Sequence, residues 1–300
     1  MASGESRWGR PVDPDSFIVA DFCAIDDGLT AEIGARRLRA RGPAPVLADS
    51  EVLTIEVVGE LLGLEHDAAI HRSFRRHRTH FFPPLGRVDR TTFVRQAANL
   101  WAVKERLWRR ALAAVPHDDR LAVVDSFPLP VCRFARAYRC RRFRGEAAFG
   151  KDLVARQTFY GFRLHVRLCW PGALARCCLA PANVSETATL PHLLEGTGGV
   201  AVGARTAEEA ARAGVVLLAP ARSARRDPSP ERSRVLSRVR YRIDTVFGQL
   251  AERFRVKRVW AQDPWHLWSR LLRKLLSHTL AVLLNGQAGN PPLQLADLIA

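Results

Sequence analysis

Lysine is nearly absent from this 300-residue chain: four occur (Lys104, Lys151, Lys257 and Lys274) against a Lys+Arg total of 46. That scarcity marks a compositional bias toward arginine. Such a bias exchanges one base for another; it does not by itself create an excess of base over acid. Asp+Glu number 30, so the formal net charge is 46 − 30 = +16. An excess of that size attracts polyanions, nucleic acid above all. Cysteine pairs at metal spacing are also missing. Of the 6 cysteines none forms a C-x-x-C pair, and the adjacent Cys177 and Cys178 suit neither a zinc site nor an unstrained disulfide. Most lie in apolar runs, which predicts buried free thiols in a reducing compartment. The N-terminus, with Glu5, Asp13 and Pro14, has no apolar signal region, and no stretch of about 18 uncharged apolar residues occurs. A membrane span is not expected and a cytoplasmic location is. No internal repeat is seen.

Hydrophobic periodicity divides what is present. Residues 1–14 read as a loose tail, and Ser16 to about Val115 as helical. Asp49-Ser50 stands as a cap before Val52, Leu53, Ile55, Val57, Val58, Leu61 and Leu62, with Gly63 as the stop. A second helix, Glu65 to Arg76, ends in Arg72, Arg75 and Arg76. The pair, joined at Gly63, is either a helix-turn-helix or part of a plain bundle with a solvated basic end. One long helix is predicted from Thr91 to Ala114, with Trp101 and Trp108 in the core. After Pro116 the period changes. Leu121–Val124 reads as a short buried strand ended by Asp125-Ser126 and Pro128. Gln157–Trp170 and Ala173–Leu179 read as a hairpin about Pro171-Gly172. A helix from Ser185 to Leu194, a strand at Val200–Val202, a helix at Thr206–Arg212 and a strand at Val215–Leu218 follow. Beyond a basic linker, Arg222–Arg234, long helices are expected from Val235 to Phe254 and from Trp265 to Leu284, the latter with His278 as a packed core residue. Three antiparallel strands, a helix, parallel strands between helices and a long helix resemble the RNase H-like order. The expected class is α+β or α/β: a helical N-terminal region, an RNase H-like mixed-sheet domain and C-terminal helices.

Two segments carry candidate chemistry. Asp125, at the end of a buried strand, is placed either as a divalent-metal ligand or as the cap of a turn. Downstream, residues 133–144 hold six arginines (Arg133, Arg136, Arg139, Arg141, Arg142 and Arg144) interleaved with Phe134, Tyr138 and Phe143. Arginines contact phosphates and aromatics stack on exposed bases, so the segment is read as DNA-contacting in preference to a solvated face.

Three runs then become recognisable: Val124-Asp125-Ser126-Phe127-Pro128-Leu129-Pro130-Val131-Cys132; Tyr160-Gly161-Phe162-Arg163-Leu164-His165; and Arg238 followed by Tyr241-Arg242-Ile243-Asp244-Thr245-Val246-Phe247. With Ala48-Asp49-Ser50-Glu51-Val52-Leu53-Thr54 they resemble the bacterial insertion-sequence transposases with a DDE catalytic domain, over about residues 16 to 296. The resemblance implies cut-and-paste movement of double-stranded DNA bounded by terminal inverted repeats, a Mg²⁺ (or Mn²⁺) cofactor, a homo-oligomer on the DNA, and residence with the bacterial nucleoid. It implies Asp125 as the first catalytic and metal-binding residue and Asp244 at the position of the family's Glu. It also implies DNA contact by Arg75, Arg76, Arg238 and Arg242 beside the 133–144 arginines. Residues 1–15 are then expected as a disordered tail, 16–116 as a helical DNA-binding region, 117–256 as the catalytic domain and 257–300 as a C-terminal helical segment. The family's second Asp falls at Ala204, and no carboxylate lies between Glu195 and Glu208. Glu186 is one acid that can approach the site, while Glu208 and Glu209 read as a solvated helix start. Ala204 together with Asp244 predicts an inactivated or impaired copy. The readings kept beside this one are a non-catalytic DNA-binding remnant or repressor, and an RNase H-like nuclease with another substrate.

Overall fold

The computed structural model describes residues 13–34, 38–39, 42–152, 155–203, 215–218, 229–259, 261–295 and 298. Within them the order is α1 (Pro14–Ile33), α2 (Asp49–Leu61), α3 (Asp67–His77), α4 (Arg90–Asn99), α5 (Trp101–Ala114), β1 (Asp118–Pro130), β2 (Ala148–Asp152), β3 (Gln157–Trp170), β4 (Ala173–Pro181), α6 (Glu186–Leu194), β5 (Gly199–Val202), β6 (Val215–Leu218), α7 (Pro230–Gly248) and α8 (Pro264–Gln287). The chain divides into two compact units, Met1–Val115 with Trp265–Ala300, and Pro116–Pro264. The helix expected at Thr206–Arg212, most of the expected basic linker and residues 1–12 of the expected tail lie outside the described residues. Asp13 caps α1, its carboxylate accepting from Ser16 N at 3.0 Å.

The first unit is helical. The long helix expected over residues 91–114 is two helices, because Leu100 turns out of helical geometry at φ −86°, ψ 13°. Asp49 is not the cap of α2: Ala48 holds that position, and Ala48 N donates to Glu51 at 2.7 Å. Asp49 pairs instead with Arg39 at 2.7 Å and accepts from Gln96 at 2.8 Å. The apolar face expected on α2 understates its burial, since Glu56 and Glu60 are as deeply buried as Leu53 and Val57. Burying carboxylates is costly unless they are paired. Arg273 on α8 bonds Glu60 at 2.6 Å, Glu56 at 3.0 Å and Asp67 at 2.6 Å, Lys274 bonds Glu60 at 2.5 Å, and Lys104 pairs with Glu56 at 2.5 Å. Trp108 is buried, its indole N–H donating to Thr279 at 3.1 Å, and His278 lies inside α8 as expected.

Among the described residues the second unit is built on a six-stranded mixed sheet. β1 is central: it runs antiparallel to β3 and parallel to β5, which is in turn parallel to β6. The outer edge of β3 takes β2 along Gln157–Gly161 and then β4 along Phe162–Cys169. With α6 and α7 packed on it, this is an α+β, RNase H-like fold.

β1 does not end at Asp125. It continues to Pro130, in register with β3 from Asp125↔Val166 to Pro130↔Gly161. Proline lacks an N–H and is excluded from ladders paired on both sides. Here β5 pairs only with Leu121–Val123, so beyond that point β1 has one neighbour. Val131 N still donates to Tyr160 O at 3.0 Å. By alternation, the ring nitrogens of Pro128 and Pro130 face the free side. Gly161 lets the strands close: a Cβ there would lie 2.2 Å from Leu129 O.

All six cysteines are free, as expected, but Cys169 alone is buried; Cys23 is exposed and the other four are half-buried. The helix expected from Val235 begins earlier, at Pro230, and its last stretch, Gln249–Arg253, widens into a π-turn. Among the described residues no helix is long and apolar enough to cross a membrane.

Candidate active site and nucleic-acid interface

Alternation along β1 sorts its side chains to two faces. Val124 packs with Leu190, Leu193 and Leu194 of α6, and with Ala201 and Val215, in one apolar cluster. Ser126, two residues on, therefore faces α6 as well. Phe127 packs on Phe247 of α7, ring centroids 5.3 Å apart, so Asp125 shares the α7 face. On α7, Arg240, Asp244 and Phe247 fall at i, i+4 and i+7 and line one side of the helix. The Phe247 contact turns that side to β1. Arg240 Nη2 lies 3.6 Å from Asp125 Oδ2, and the charge of Asp244 acts on Asp125. Asp125 and Asp244, the two acids singled out from the sequence, thus lie on facing elements, near enough for the charge of one to act on the other.

A third acid joins them. Glu186, in the first turn of α6, accepts a hydrogen bond from Ser126 Oγ at 2.7 Å. Ser126 Oγ in turn accepts from Arg163 Nη1 at 3.1 Å, and Ser126 N donates to Asp125 Oδ1 at 2.8 Å. Burial raises the proton affinity of Asp125. The Ser126 N–H opposes that rise, Glu186 adds to it, Arg240 opposes it and Asp244 adds to it. His165 stands directly across from Ser126 on β3 and is 1% exposed; its Nε2 has no hydrogen-bond partner. Burial lowers its pKa to about 4, with the Glu186 charge opposing and the Arg163 charge adding. Among the described residues no three Asp, Glu, His or Cys side chains stand close enough to form a closed metal-ligand set. The carboxylates are coupled through charge across β1, and Arg240 is the cation beside them. Ala204, with Glu208 and Glu209, lies outside the described residues.

Beyond Pro130 the arginine segment forms a loop with a short 3₁₀ helix at Phe134–Arg139. Arg133, Arg136, Arg139, Arg141, Arg142 and Arg144 are all exposed. The first five of these line a concavity of about 770 Å³ together with Cys132 and Cys140. Phe134 and Tyr138 are exposed, and rings run Phe134–Tyr138–Phe149–Tyr160 at centroid spacings of 6.3, 5.0 and 5.1 Å. Phe143 does not join that row as expected. It is buried edge-on against Phe162 at 5.4 Å, because the residue takes a left-handed turn (φ 57°) that tucks its ring under β3. On α7 Arg238 is exposed, whereas Arg242 lies over the Trp170 ring at 5.3 Å. Arg75 and Arg76 are exposed on α3, whose inward face carries Ile70, His71 and Phe74.

Sequence reading missed Arg240, Ser126 with Arg163, and His165 as neighbours of the acids. Arg240 was recoverable from its i, i+4 spacing to Asp244. The Ser126–His165 pairing depends on β-register, which local sequence does not fix.

The model of the transposase DDE domain family matches residues 116–260. No curated protein and no solved structure matches the chain. The matched span takes in the whole sheet, Asp125, Glu186, Asp244 and the arginine loop, and it identifies residues 116–260 as a transposase DDE domain.

Proposed function

We propose that this chain is an insertion-sequence DNA transposase that binds terminal inverted repeats and target DNA as a homo-oligomer and cuts and joins strands with Mg²⁺ or Mn²⁺. Its place of action is the bacterial cytoplasm, on the nucleoid. The observation that carries the reading is the approach of Asp244, on the β1-facing side of α7, to Asp125 in the central strand. Hard divalent cations take carboxylate oxygens, and these two acids, held on a sheet and a helix that share a core, fit by donor type and placement. Asp125 and Asp244 are the residues that would hold the ion, which when bound supplies Lewis acidity to phosphodiester cleavage. The protein's own contributions are positional. β1 and α7 fix the acids, Arg240 balances their charge, and the 133–144 arginines take DNA phosphates while Phe134 and Tyr138 offer stacking faces. Asp244 is one methylene shorter than the family's Glu and Ala204 lacks a carboxylate, so this copy is impaired relative to a full acidic triad; small misplacement at such a centre costs large rate factors.

A second reading, a non-catalytic DNA-binding remnant or repressor, is favoured by the Arg240–Asp125 pair, which sets a cation against the central acid. Nicking and strand transfer on the element's own ends, in Mg²⁺ and in Mn²⁺, separate the two. The transposase reading expects metal-dependent product from the parent chain and none from Asp125→Asn, with DNA affinity unchanged. Metal-independent binding with no product from either protein would leave the remnant.

A further inference from the structure

We infer that Cys132 and Cys140 form a dithiol–disulfide site that staples the arginine loop: a peroxide oxidises the two thiols to one disulfide, and a thiol reductant reopens it. The consequence for DNA rests on the reading of this loop as a phosphate contact; formation of the disulfide does not.

The fold brings the two sulfurs together at the neck of the loop. Cys132 follows directly on Val131, whose N–H bonds Tyr160 O at 3.0 Å, so it is held by the end of the sheet. The chain then winds into the short 3₁₀ helix Phe134–Arg139, and Cys140 closes it, its N–H donating to Ala137 O at 3.1 Å. That turn carries Cys140 back to Cys132. Both are half-buried, both line the arginine concavity, and their thiols share a hydrogen bond. Thiols already in contact need only a small approach to reach the roughly 2 Å of a disulfide bond. Cys169 is instead buried against Asp119, and Cys177 and Cys178, adjacent on β4, point to opposite faces of the sheet.

The surroundings divide the roles. Burial pushes the Cys132 thiol up to about 11, Cys140 pushes the same way through its hydrogen bond and its charge, and Arg142 opposes them. Cys132 therefore keeps its proton, and Cys140 is the first to react. The peroxide passes one oxygen to Cys140 Sγ, which becomes a sulfenic acid, and leaves as water or an alcohol. Cys132 Sγ then attacks that sulfur, and its proton departs with the displaced hydroxide as water. Two electrons pass from the thiols to the peroxide. The new bond encloses Arg133, Arg136 and Arg139 with the exposed rings of Phe134 and Tyr138. Closing the loop at its neck removes freedom that it otherwise loses on taking phosphates, so the oxidised loop binds DNA more tightly. In a reducing compartment such a pair stays open until oxidant arrives.

The test treats the full chain, reduced and freed of reductant, with hydrogen peroxide, and alkylates the remaining thiols. Trypsin cuts inside the loop, so peptide Leu121–Arg133 and the dipeptide Cys140-Arg141 stay together only through the disulfide. The expected result is that linked pair, absent from Cys132→Ser and from Cys140→Ser, present in Cys23→Ser and lost on treatment with dithiothreitol. Fluorescence anisotropy on a duplex should then show the oxidised parent binding about threefold or more tightly than the reduced one, with no response to peroxide in either loop variant. Absence of the linked pair, or linkage of Cys132 mainly to other cysteines, overturns the inference. So does a linked parent whose DNA affinity is unchanged or weaker. A reduced parent that binds no DNA would sink the DNA reading of the loop, while the linked peptides would still decide the thiol pair.

Discussion

The arginine loop makes the most measurable claim. Residues 133–144 present six arginines, all exposed, five of them around one concavity at the end of β1. If each neutralises one phosphate, counterion release gives a slope of log affinity against log salt of about −0.9 × 6, or roughly −5. Between 50 and 200 mM salt that slope predicts an affinity loss of roughly 10³-fold. Replacing Arg136, Arg139 and Arg142 with Gln halves the number of contacts and the slope, so the loss over the same range shrinks to about 40-fold. Fluorescence anisotropy on a duplex carrying the element's end, at five or six salt concentrations, reads the slope directly. Arg176, paired with Glu195 at 3.2 Å beyond this loop, is the control: Arg176→Gln leaves the slope unchanged. A triple variant with the parental slope would refute the loop as the phosphate contact, whatever its effect on absolute affinity.

Other predictions concern the helical unit. Arg273→Met strips Glu56, Glu60 and Asp67 of a shared partner buried to 1% exposure, and should cost about 3–5 kcal/mol, read as a fall in the urea midpoint; the exposed Arg109→Met should barely move it. Burial lowers the His278 pKa from its ordinary 6.5 to about 4. Its neutral form is therefore favoured by folding. The stability it adds is complete above pH 6.5 and is lost as pH falls toward 4, about 3 kcal/mol over that window. The urea midpoint of the parent should fall more steeply than that of His278→Phe between pH 6.5 and 4, and parallel pH profiles would contradict the assignment.

The sequence was most legible where burial is periodic. β3 and β6 have the bounds that their apolar runs predict, since runs enclosed by turn residues leave few alternatives. It was least legible where one contact overrides local preference. Pro128 and Pro130 argue for a strand end, and do so correctly for a strand paired on both sides; only the shortness of β5 removes the objection. Glu56 and Glu60 look like a solvated face until Lys104 and Arg273, far away in the chain, are brought against them. The candidate site divides along the same line. Asp125 and Asp244 were readable from motifs, whereas the standing of Glu186 beside Ser126, and of His165 across from it, follows from register and from the seating of α6.

The continuation of β1 past Asp125 also sets a distance between chemistry and grip. Asp125 and Pro130 are five residues apart on one strand, about 17 Å at 3.3 Å per residue, and the arginine loop starts directly after Val131. Along one strand of DNA, at about 3.4 Å per nucleotide, that separation corresponds to roughly five nucleotides. For a DNA strand lying along β1, a phosphate held by the loop would stand about five nucleotides from a phosphodiester at the acids, and the pairing of β1 to β3 along this stretch would keep that spacing rigid. Phosphate-ethylation interference on an end-labelled element terminus measures it. Ethylation that blocks binding should cluster about five nucleotides from the cleavage position, and that cluster should fade in the Arg136, Arg139 and Arg142 triple variant while other positions persist. Interference confined to the cleaved phosphate, or spread evenly along the terminus, would mean that the loop does not grip the strand on which the acids act.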